Sequence, residues 1–213
     1  MSLTEFKGFI SGLAVVTTVL NFMAGIHKLL MKSRNIFNCF FFFRTALWLM
    51  YGLTKNDNKI ILVNMIGLVL MTLYVLVFYM FTYKKTTTLK QITFTVGLLL
   101  FSVGYLKIED DKEMILDRLG MSACLVTLLM VAAPMTKLLY VLRVKCTECL
   151  PFPMILMSFF VSSLWFMYGV IEDDNYLIVI FEIKWNVHTY FHVYNIVRIS
   201  SNGLVEMLNT PIV

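Results

Sequence analysis

Charged side chains are scarce in this chain. Asp, Glu, Lys and Arg together make up 15% of its 213 residues, whereas a soluble domain usually carries about 25%. Apolar residues make up 59% of the chain, and the mean hydropathy is +0.80. A soluble fold of this length could not bury that much apolar surface, so the composition predicts a membrane protein. It also excludes intrinsic disorder, collagen-like fibres and small disulfide scaffolds.

Groups that could bind a metal or carry out catalysis are also few. Of the four cysteines, only Cys146 and Cys149 are close in sequence, and His188 and His192 are one helical turn apart. Neither pair has a third ligand nearby, so loop thiols and surface histidines are the preferred interpretation. No nucleophile with a base and no phosphate-binding loop accompanies them. We therefore predict no metal, no cofactor and no enzymatic activity.

The chain also lacks a concentrated basic region. Its formal net charge is +5, which alone could suggest a nucleic-acid partner. The Lys and Arg residues are dispersed, however, and no basic stripe with interleaved aromatic residues occurs. We therefore predict no nucleic-acid partner, and the lipid bilayer is the predicted environment.

Long uncharged runs, in contrast, are frequent. A helix that crosses the hydrocarbon core of a bilayer needs roughly 20 largely apolar residues. Six runs approach or reach that length, and they cover residues 8–26, 35–54, 60–83, 91–106, 119–136 and 149–171, the second of which is uncharged except for Arg44. A seventh run begins after Asp174 but meets Glu182 and Lys184. It is either a marginal seventh span or a span that the chain has lost.

The basic residues between these runs indicate an orientation. The loops after the first, third and fifth runs carry eight Lys and Arg residues besides Lys137, and the opposite side carries six. Because cytoplasmic loops are enriched in Lys and Arg, the N-terminus is predicted to be extracytoplasmic. The C-terminus is then cytoplasmic if the seventh helix spans.

An internal repeat is the most informative pattern in the chain. Residues 47–52 read Leu-Trp-Leu-Met-Tyr-Gly, and residues 164–169 read Leu-Trp-Phe-Met-Tyr-Gly, 117 positions later. At this offset, eight of the fifteen positions from 47 to 61 are identical. One helix earlier, residues 28–30 recur at 137–139 with an offset of 109. The first three spans are therefore echoed by the fifth, sixth and seventh.

This repeat predicts the architecture. The protein is expected to be an all-α membrane protein in which two parallel three-helix bundles are joined by a linker helix. Substrate is expected near the bilayer midplane, between the two bundles. The predicted units are a first repeat, a linker helix with its loop, a second repeat and a divergent tail, over residues 1–88, 89–117, 118–181 and 182–213.

The motifs within the repeat resemble those of a known family. Each Trp-x-x-Tyr-Gly element lies in a predicted span, and the first is followed by Asn64-x-x-Gly67. Residues 132–135 read Ala-Ala-Pro-Met, and residues 150–153 read Leu-Pro-Phe-Pro. In combination these motifs resemble the SWEET sugar transporters, over about residues 13–180.

The resemblance implies a function and a setting. It implies facilitated diffusion of mono- or disaccharides without a coupling ion, by a homo-oligomer in the plasma membrane or the Golgi. The alternative is a degenerate or truncated isoform that does not transport and assembles with intact copies. A seven-helix receptor fits the number of spans, but a parallel internal repeat has no evident purpose in a receptor.

The resemblance also implies a sugar pocket made of Asn64, Trp48 and Trp165. An amide offers a donor and an acceptor to sugar hydroxyls, and an indole can stack on a sugar ring and donate one hydrogen bond. The alternatives are an interhelical hydrogen bond for Asn64 and interfacial belt positions for the tryptophans. At the repeat offset, the counterpart of Asn64 is Phe181, so the second pocket asparagine of the family is absent there. Asn186 and Asn202 could replace it only with a shift of register.

Other residues have candidate roles in movement. Pro134 and Pro151 are implied hinges for alternating access, or else static kinks. The corresponding prolines are missing from the first repeat, where Phe22 and Phe37 stand near their places and Gly12 and Gly25 are the available hinges.

Two aspartates and two tyrosines recur near one mouth of the predicted path. They are the candidate gate residues Tyr51, Asp57, Tyr168 and Asp174, and the alternative for the aspartates is a solvated loop. Arg44 lies inside the second span, one turn before Trp48. A guanidinium there costs several kcal/mol unless it reaches the interface or lines water. It either faces the path or pairs with a carbonyl.

Overall fold

The computed structural model describes residues 3–31, 35–83, 85–144, 152–183 and 186. The described residues form helices in the predicted order. These are α1 (Leu3–Met31), α2 (Asn35–Lys55), α3 (Asn58–Phe81), α4 (Lys85–Ile108), α5 (Lys112–Val144) and α6 (Phe152–Ile171), followed by a shorter helix α7 (175–183). The all-α fold predicted from the uncharged runs is confirmed.

Several helices extend beyond the uncharged runs that predicted them. α1 starts before Lys7, and α5 includes Lys112 and Asp117 at one end and Lys137 at the other. Charged residues are compatible with a helix once it leaves the hydrocarbon layer, so the run marks the apolar part of the helix and not its ends. α7 likewise continues through Glu182, whose side chain is exposed.

The apolar surface of these helices is suited to a bilayer. Within the described residues, three stretches are long and apolar enough to cross a membrane, namely Glu5–Met23 in α1 and the whole of α3 and α4. A shorter apolar stretch covers Leu156–Ile171 in α6. One face of α3 exposes Val69, Leu73 and Leu76. Large apolar side chains exposed along a helix of this length indicate contact with lipid rather than water.

The helices pack as two units that share one core. α3 contacts both α1 and α2, α2 contacts α5, and α1 contacts α6. The linker helix α4 packs on α2 and α3, at the flank of the first unit. Buried side chains from both units, including Leu47, Trp48, Trp165 and Ile180, form one hydrophobic cluster. The interface between the two units is therefore the interior of the molecule.

Two equivalent turns lie at the same end of the bundle. Asn56, between α2 and α3, has φ 62°, and Asp173, between α6 and α7, has φ 50°. This left-handed conformation is best tolerated by Gly, Asn and Asp. In each turn the following residue, Asp57 or Asp174, precedes a helix. We call this end of the molecule the aspartate end.

Candidate gate and substrate path

Two hydrogen bonds link the repeats at the aspartate end. The hydroxyl of Tyr51 donates to Oδ2 of Asp174 at 2.9 Å. The hydroxyl of Tyr168 donates to the two carboxylate oxygens of Asp57 at 3.0 and 2.9 Å. The residues of one bond are the repeat counterparts of the residues of the other. We call these bonds the latches, because each joins one three-helix unit to the other.

Each latch aspartate is also the N-cap of its own helix. Oδ1 of Asp57 accepts from the backbone N–H groups of Lys59 and Ile60 at 2.9 and 3.2 Å. Oδ1 of Asp174 accepts from those of Tyr176 and Leu177, both at 3.1 Å. A capping side chain satisfies N–H groups that the helix leaves free. The carboxylates are therefore held in position by their own helices.

The two latches differ in charge and burial. The ammonium of Lys55 pairs with Asp174, which is only 2% exposed. The repeat counterpart of Lys55 is Glu172, which pairs instead with Lys7 at 2.6 Å. Asp57 is only partly buried. The Asp174 latch is thus a buried, charge-compensated site, and the Asp57 latch is a more solvated one.

A second pair of contacts between repeats lies one turn further into the bundle. The indole N–H of Trp48 donates to Oγ1 of Thr127 in α5 at 3.1 Å. The indole N–H of Trp165 donates to Oγ1 of Thr18 in α1 at 2.8 Å. Each threonine hydroxyl donates in turn to the backbone carbonyl four residues earlier. Because the hydroxyl hydrogen is already engaged, each threonine is oriented to accept from the tryptophan.

Aromatic contacts connect the latch tyrosines with Trp48 and Trp165, which we call the tryptophan layer. The rings of Trp48 and Tyr51 meet edge-on at 5.5 Å, and those of Trp165 and Tyr168 at 5.6 Å. Both tryptophans are 5% exposed, and in this conformation both indole N–H groups are occupied by threonine. A ligand could therefore use these N–H groups only after the threonine bonds break.

The predicted pocket asparagine and its counterpart have different surroundings. Asn64 is buried on α3, and its Nδ2 donates to the backbone carbonyl of Ile60 at 2.8 Å. Its counterpart Phe181 stacks on the ring of Trp165, with centroids 6.1 Å apart and an angle of 16° between the planes. In the second repeat an aromatic ring thus occupies the place where the family pattern predicts an amide.

The hinge candidates are only partly described. Pro134 lies within the continuous helix α5, and Pro151 is outside the described residues. Phe22 packs edge-on against Phe41, and its ring occupies the space beside Gly67, where a Cβ would lie 2.8 Å away. A Cβ at Gly12 would meet nothing within 4 Å. In the first repeat the helices are therefore tightly packed around Gly67 and open at Gly12.

Other candidate positions are described only in part or not at all. The backbones of Gly25 and Phe37 lie in α1 and α2, and nothing further is described of them. Asn186 is exposed, whereas Asn202, both late histidines and the Cys146–Cys149 pair fall outside the described residues. Within the part that is described, no group of three His, Cys, Asp or Glu side chains could hold a metal ion.

Sequence reasoning missed three residues of this site. Thr18 and Thr127 are related by the 109-residue offset of the first helices, and this offset could have paired each of them with a tryptophan of the other repeat. Lys55 was identifiable from its exchange for Glu172 at the repeat position, which shows that the two latches carry different charges.

Comparisons with known proteins agree with this architecture. A family model described as "Sugar efflux transporter for intercellular exchange" matches residues 8–86 and 117–197. These two matches are the two repeats, and the second continues past residue 180, where the resemblance seen in the sequence ended. A SWEET transporter of known structure, from a eukaryote, covers 88% of this chain with 99% of its own length, a TM-score of 0.71 and 17% identity. That likeness establishes a shared fold.

Two relatives with higher sequence identity are also sugar transporters of the SWEET type. Sugar transporter SWEET1 of Drosophila pseudoobscura pseudoobscura is 33% identical over 79% of this chain and 79% of its own. Sugar transporter SWEET1 of Homo sapiens is 32% identical over 82% of this chain and 85% of its own. The apolar helices and these matches identify an integral membrane protein without enzymatic activity. The chain belongs to the SWEET family of sugar transporters.

Proposed function

We propose that this chain is a uniporter that carries a mono- or disaccharide by alternating access between its two three-helix units. The observation that carries the proposal is the pair of latches, because both join the repeats at the same end and each bond has its repeat counterpart. Hydrogen bonds to a carboxylate are each worth about 1.5–3 kcal/mol. Two of them are strong enough to hold one end closed and weak enough to break in each cycle.

The proposed path runs from the latches past the tryptophan layer toward Asn64. Trp48 and Trp165 would offer their faces to the apolar C–H side of a sugar ring once the path opens. Asn64 would exchange its bond to the Ile60 carbonyl for sugar hydroxyls. We propose that the aspartate end is extracytoplasmic, in accord with the excess of Lys and Arg in the other loops. This structure would then represent the state closed to the outside.

Uniport has a direct test. The apolar runs that correspond to α1, α3, α5 and α6 contain no Asp or Glu, so a buried proton or sodium carrier is not evident in them. Purified protein in proteoliposomes should let labelled sugar equilibrate without accumulation when a pH gradient is imposed at zero membrane potential. Accumulation that follows the proton gradient would contradict uniport.

The role of Asn64 is tested separately. Asn64→Ala is expected to abolish sugar flux, because the hydroxyl contacts are lost, while changing the melting temperature in detergent by only a few degrees. A structural amide would behave otherwise, since its loss would lower the melting temperature strongly. Asn58→Ala is the matched control, because Asn58 is an exposed asparagine at the start of the same helix. It should leave both quantities unchanged.

A second candidate function rests on Phe181. Its ring stacks on Trp165 in the second repeat, where the first repeat has a polar amide. This favours a chain that conducts little sugar itself and assembles with competent copies. If so, wild-type proteoliposomes show no flux, and Phe181→Asn creates it. Flux through the unmodified chain would exclude this second function.

A further inference from the structure

Arg44 lies in the middle of a membrane helix. It stands nine residues after the start of α2 and eleven before its end, which is about 14 and 16 Å along the axis. Part of its side chain is buried, and Nε has no hydrogen-bonding partner in the described part of the chain. The guanidinium lies over the ring of Phe41 at 4.9 Å. A cation–π contact of this kind offsets only a part of the cost of burying the charge.

The direction of Arg44 follows from its neighbours on the helix. It lies one turn from Trp48, and residues four apart share a face. Trp48 donates to Thr127 of α5, so this face is turned toward the second repeat. The repeat counterpart of Arg44 is Val161, which is buried in the central cluster near Trp165. Arg44 is therefore beside the path between the two units, with a charge where the other unit has an apolar side chain.

The carboxylates of the site are not available to neutralise it. Asp174 is engaged by Tyr51 and Lys55, and Asp57 by Tyr168 and by its own helix N-terminus. Both lie beyond the last turn of α2, at the aspartate end. A partly buried guanidinium without a counter-charge among the described residues is unfavourable, and it is the side chain that best matches a planar carboxylate, through two parallel hydrogen bonds. A missing counter-charge in a transport path can be supplied by the substrate.

We propose that the substrate of this chain is a monosaccharide that carries a carboxylate, a hexuronate, and that Arg44 binds this carboxylate in the path. The inference rests on the function proposed above and specifies its substrate class. One guanidinium matches one carboxylate in charge and in geometry. A sugar phosphate, with close to two negative charges, would require a second cation, and the described residues of this layer offer Asn64, Thr127 and the indoles.

The charge of the substrate has a measurable consequence. Uniport of an anion is electrogenic, whereas uniport of a neutral sugar is not. At 2.3 kcal/mol per 100 mV, an interior held about 60 mV positive corresponds to a tenfold accumulation of a singly charged anion. Proteoliposomes with an imposed potassium diffusion potential should therefore accumulate labelled glucuronate about tenfold, and labelled glucose should only equilibrate.

Three variants separate binding from structure. Arg44→Gln should lower kcat/KM for glucuronate on the order of tenfold to a hundredfold and leave that for glucose unchanged or higher. Arg44→Lys keeps the charge but loses the bidentate hydrogen-bonding geometry. Its kcat/KM for glucuronate should therefore fall between those of the wild type and Arg44→Gln. Lys90→Gln is the matched control, because Lys90 is an exposed cation on the linker helix, which packs on the flank of the first unit. It should leave glucuronate transport unchanged.

The outcomes distinguish this inference from the proposed function. Glucose flux without glucuronate flux, or equal glucuronate flux through Arg44→Gln, would overturn the inference and leave the uniporter intact. If the wild-type protein carries neither sugar, the proposed function fails. The inference is then tested by thermal unfolding of the protein in detergent with glucuronate or glucose, at matched ionic strength. Stabilisation of the wild type by glucuronate but not by glucose, lost in Arg44→Gln, would support it. Equal or absent stabilisation would overturn it.

Discussion

At the residue scale, the two latch aspartates perform the same two tasks in different electrostatic surroundings. Asp174 faces both Tyr51 and the Lys55 ammonium, whereas Asp57 faces Tyr168 without a lysine partner among the described contacts. Asparagine caps a helix about as well as aspartate. A change of Asp to Asn at either position therefore preserves the cap and removes only the charge, which makes the two latches comparable.

We predict that Asp174→Asn costs more stability than Asp57→Asn. The first change leaves Lys55 without its counter-charge, and the Lys55 side chain is 24% exposed, so the loss is about 1–3 kcal/mol rather than the larger value of a fully buried pair. The second should cost about 0.5–1.5 kcal/mol. Unfolding in detergent, followed by tryptophan fluorescence, measures both. Equal losses would show that Lys55 is satisfied by solvent instead of by Asp174.

At the element scale, Gly120 allows α5 to approach α7 closely. A Cβ at Gly120 would lie 2.5–2.7 Å from ring atoms of Tyr176. The Tyr176 hydroxyl is bonded to Asp117 on the same helix, α5, so its ring is held at both ends and cannot easily turn away. The first turn of α7 is thereby fixed against α5 at the level of the Asp174 latch.

We predict that Gly120→Ala destabilises the protein by about 1–3 kcal/mol, because the ring or the helix must move. Gly12→Ala provides the control on α1, since a Cβ there would meet nothing within 4 Å. It should be neutral or slightly stabilising, as alanine favours a helix by up to about 1 kcal/mol over glycine. Melting temperatures in detergent compare the two. Loss of transport by Gly12→Ala without loss of stability would instead identify Gly12 as a hinge.

The number and order of the helices could be predicted from the sequence, but the site only in part. Uncharged runs locate the helices because lipid excludes charge, and the repeat offset pairs Tyr51 with Tyr168 and Asp57 with Asp174 because equivalent residues take equivalent places. The exchange of partners between the repeats could not be derived, since it depends on how the two units face each other. The bonds from the indoles to the threonines depend on the same packing, and the sequence alone suggested a free donor at each indole.

At the scale of the whole molecule, we propose that closure of the aspartate end depends on the two latches together. Cys124 lies behind them on α5, partly buried, with its thiol 3.4 Å from the carbonyl oxygen of Tyr176. Opening of this end would expose the thiol to water. The reactivity of Cys124 toward a charged thiol reagent therefore reports the fraction of molecules that are open at this end.

We predict that the double variant Tyr51→Phe, Tyr168→Phe reacts at Cys124 at least about a hundredfold faster. Loss of two bonds to carboxylates, each worth about 1.5–3 kcal/mol, would shift the opening equilibrium by about 3–6 kcal/mol. The background should carry serine at the other three cysteines, Cys39, Cys146 and Cys149. Tyr105→Phe is the control, because Tyr105 also bonds a carboxylate, but that of Glu109, which lies only four residues later, just after the end of α4. An unchanged rate in the double variant would show that the tryptophan layer alone holds this end closed.

The separation of the latch partners along the chain determines when this end forms during biosynthesis. The bonded residues are 123 and 111 positions apart, and a ribosome adds about 5–20 residues per second. Tyr51, Lys55 and Asp57 thus enter the membrane on the order of ten seconds before the residues that bind them are made. The aspartate end cannot close before α7 is inserted, and until then the first repeat presents an unpaired lysine and tyrosine. A nascent chain that stalls before α7 would offer this surface to the second repeat of a completed copy.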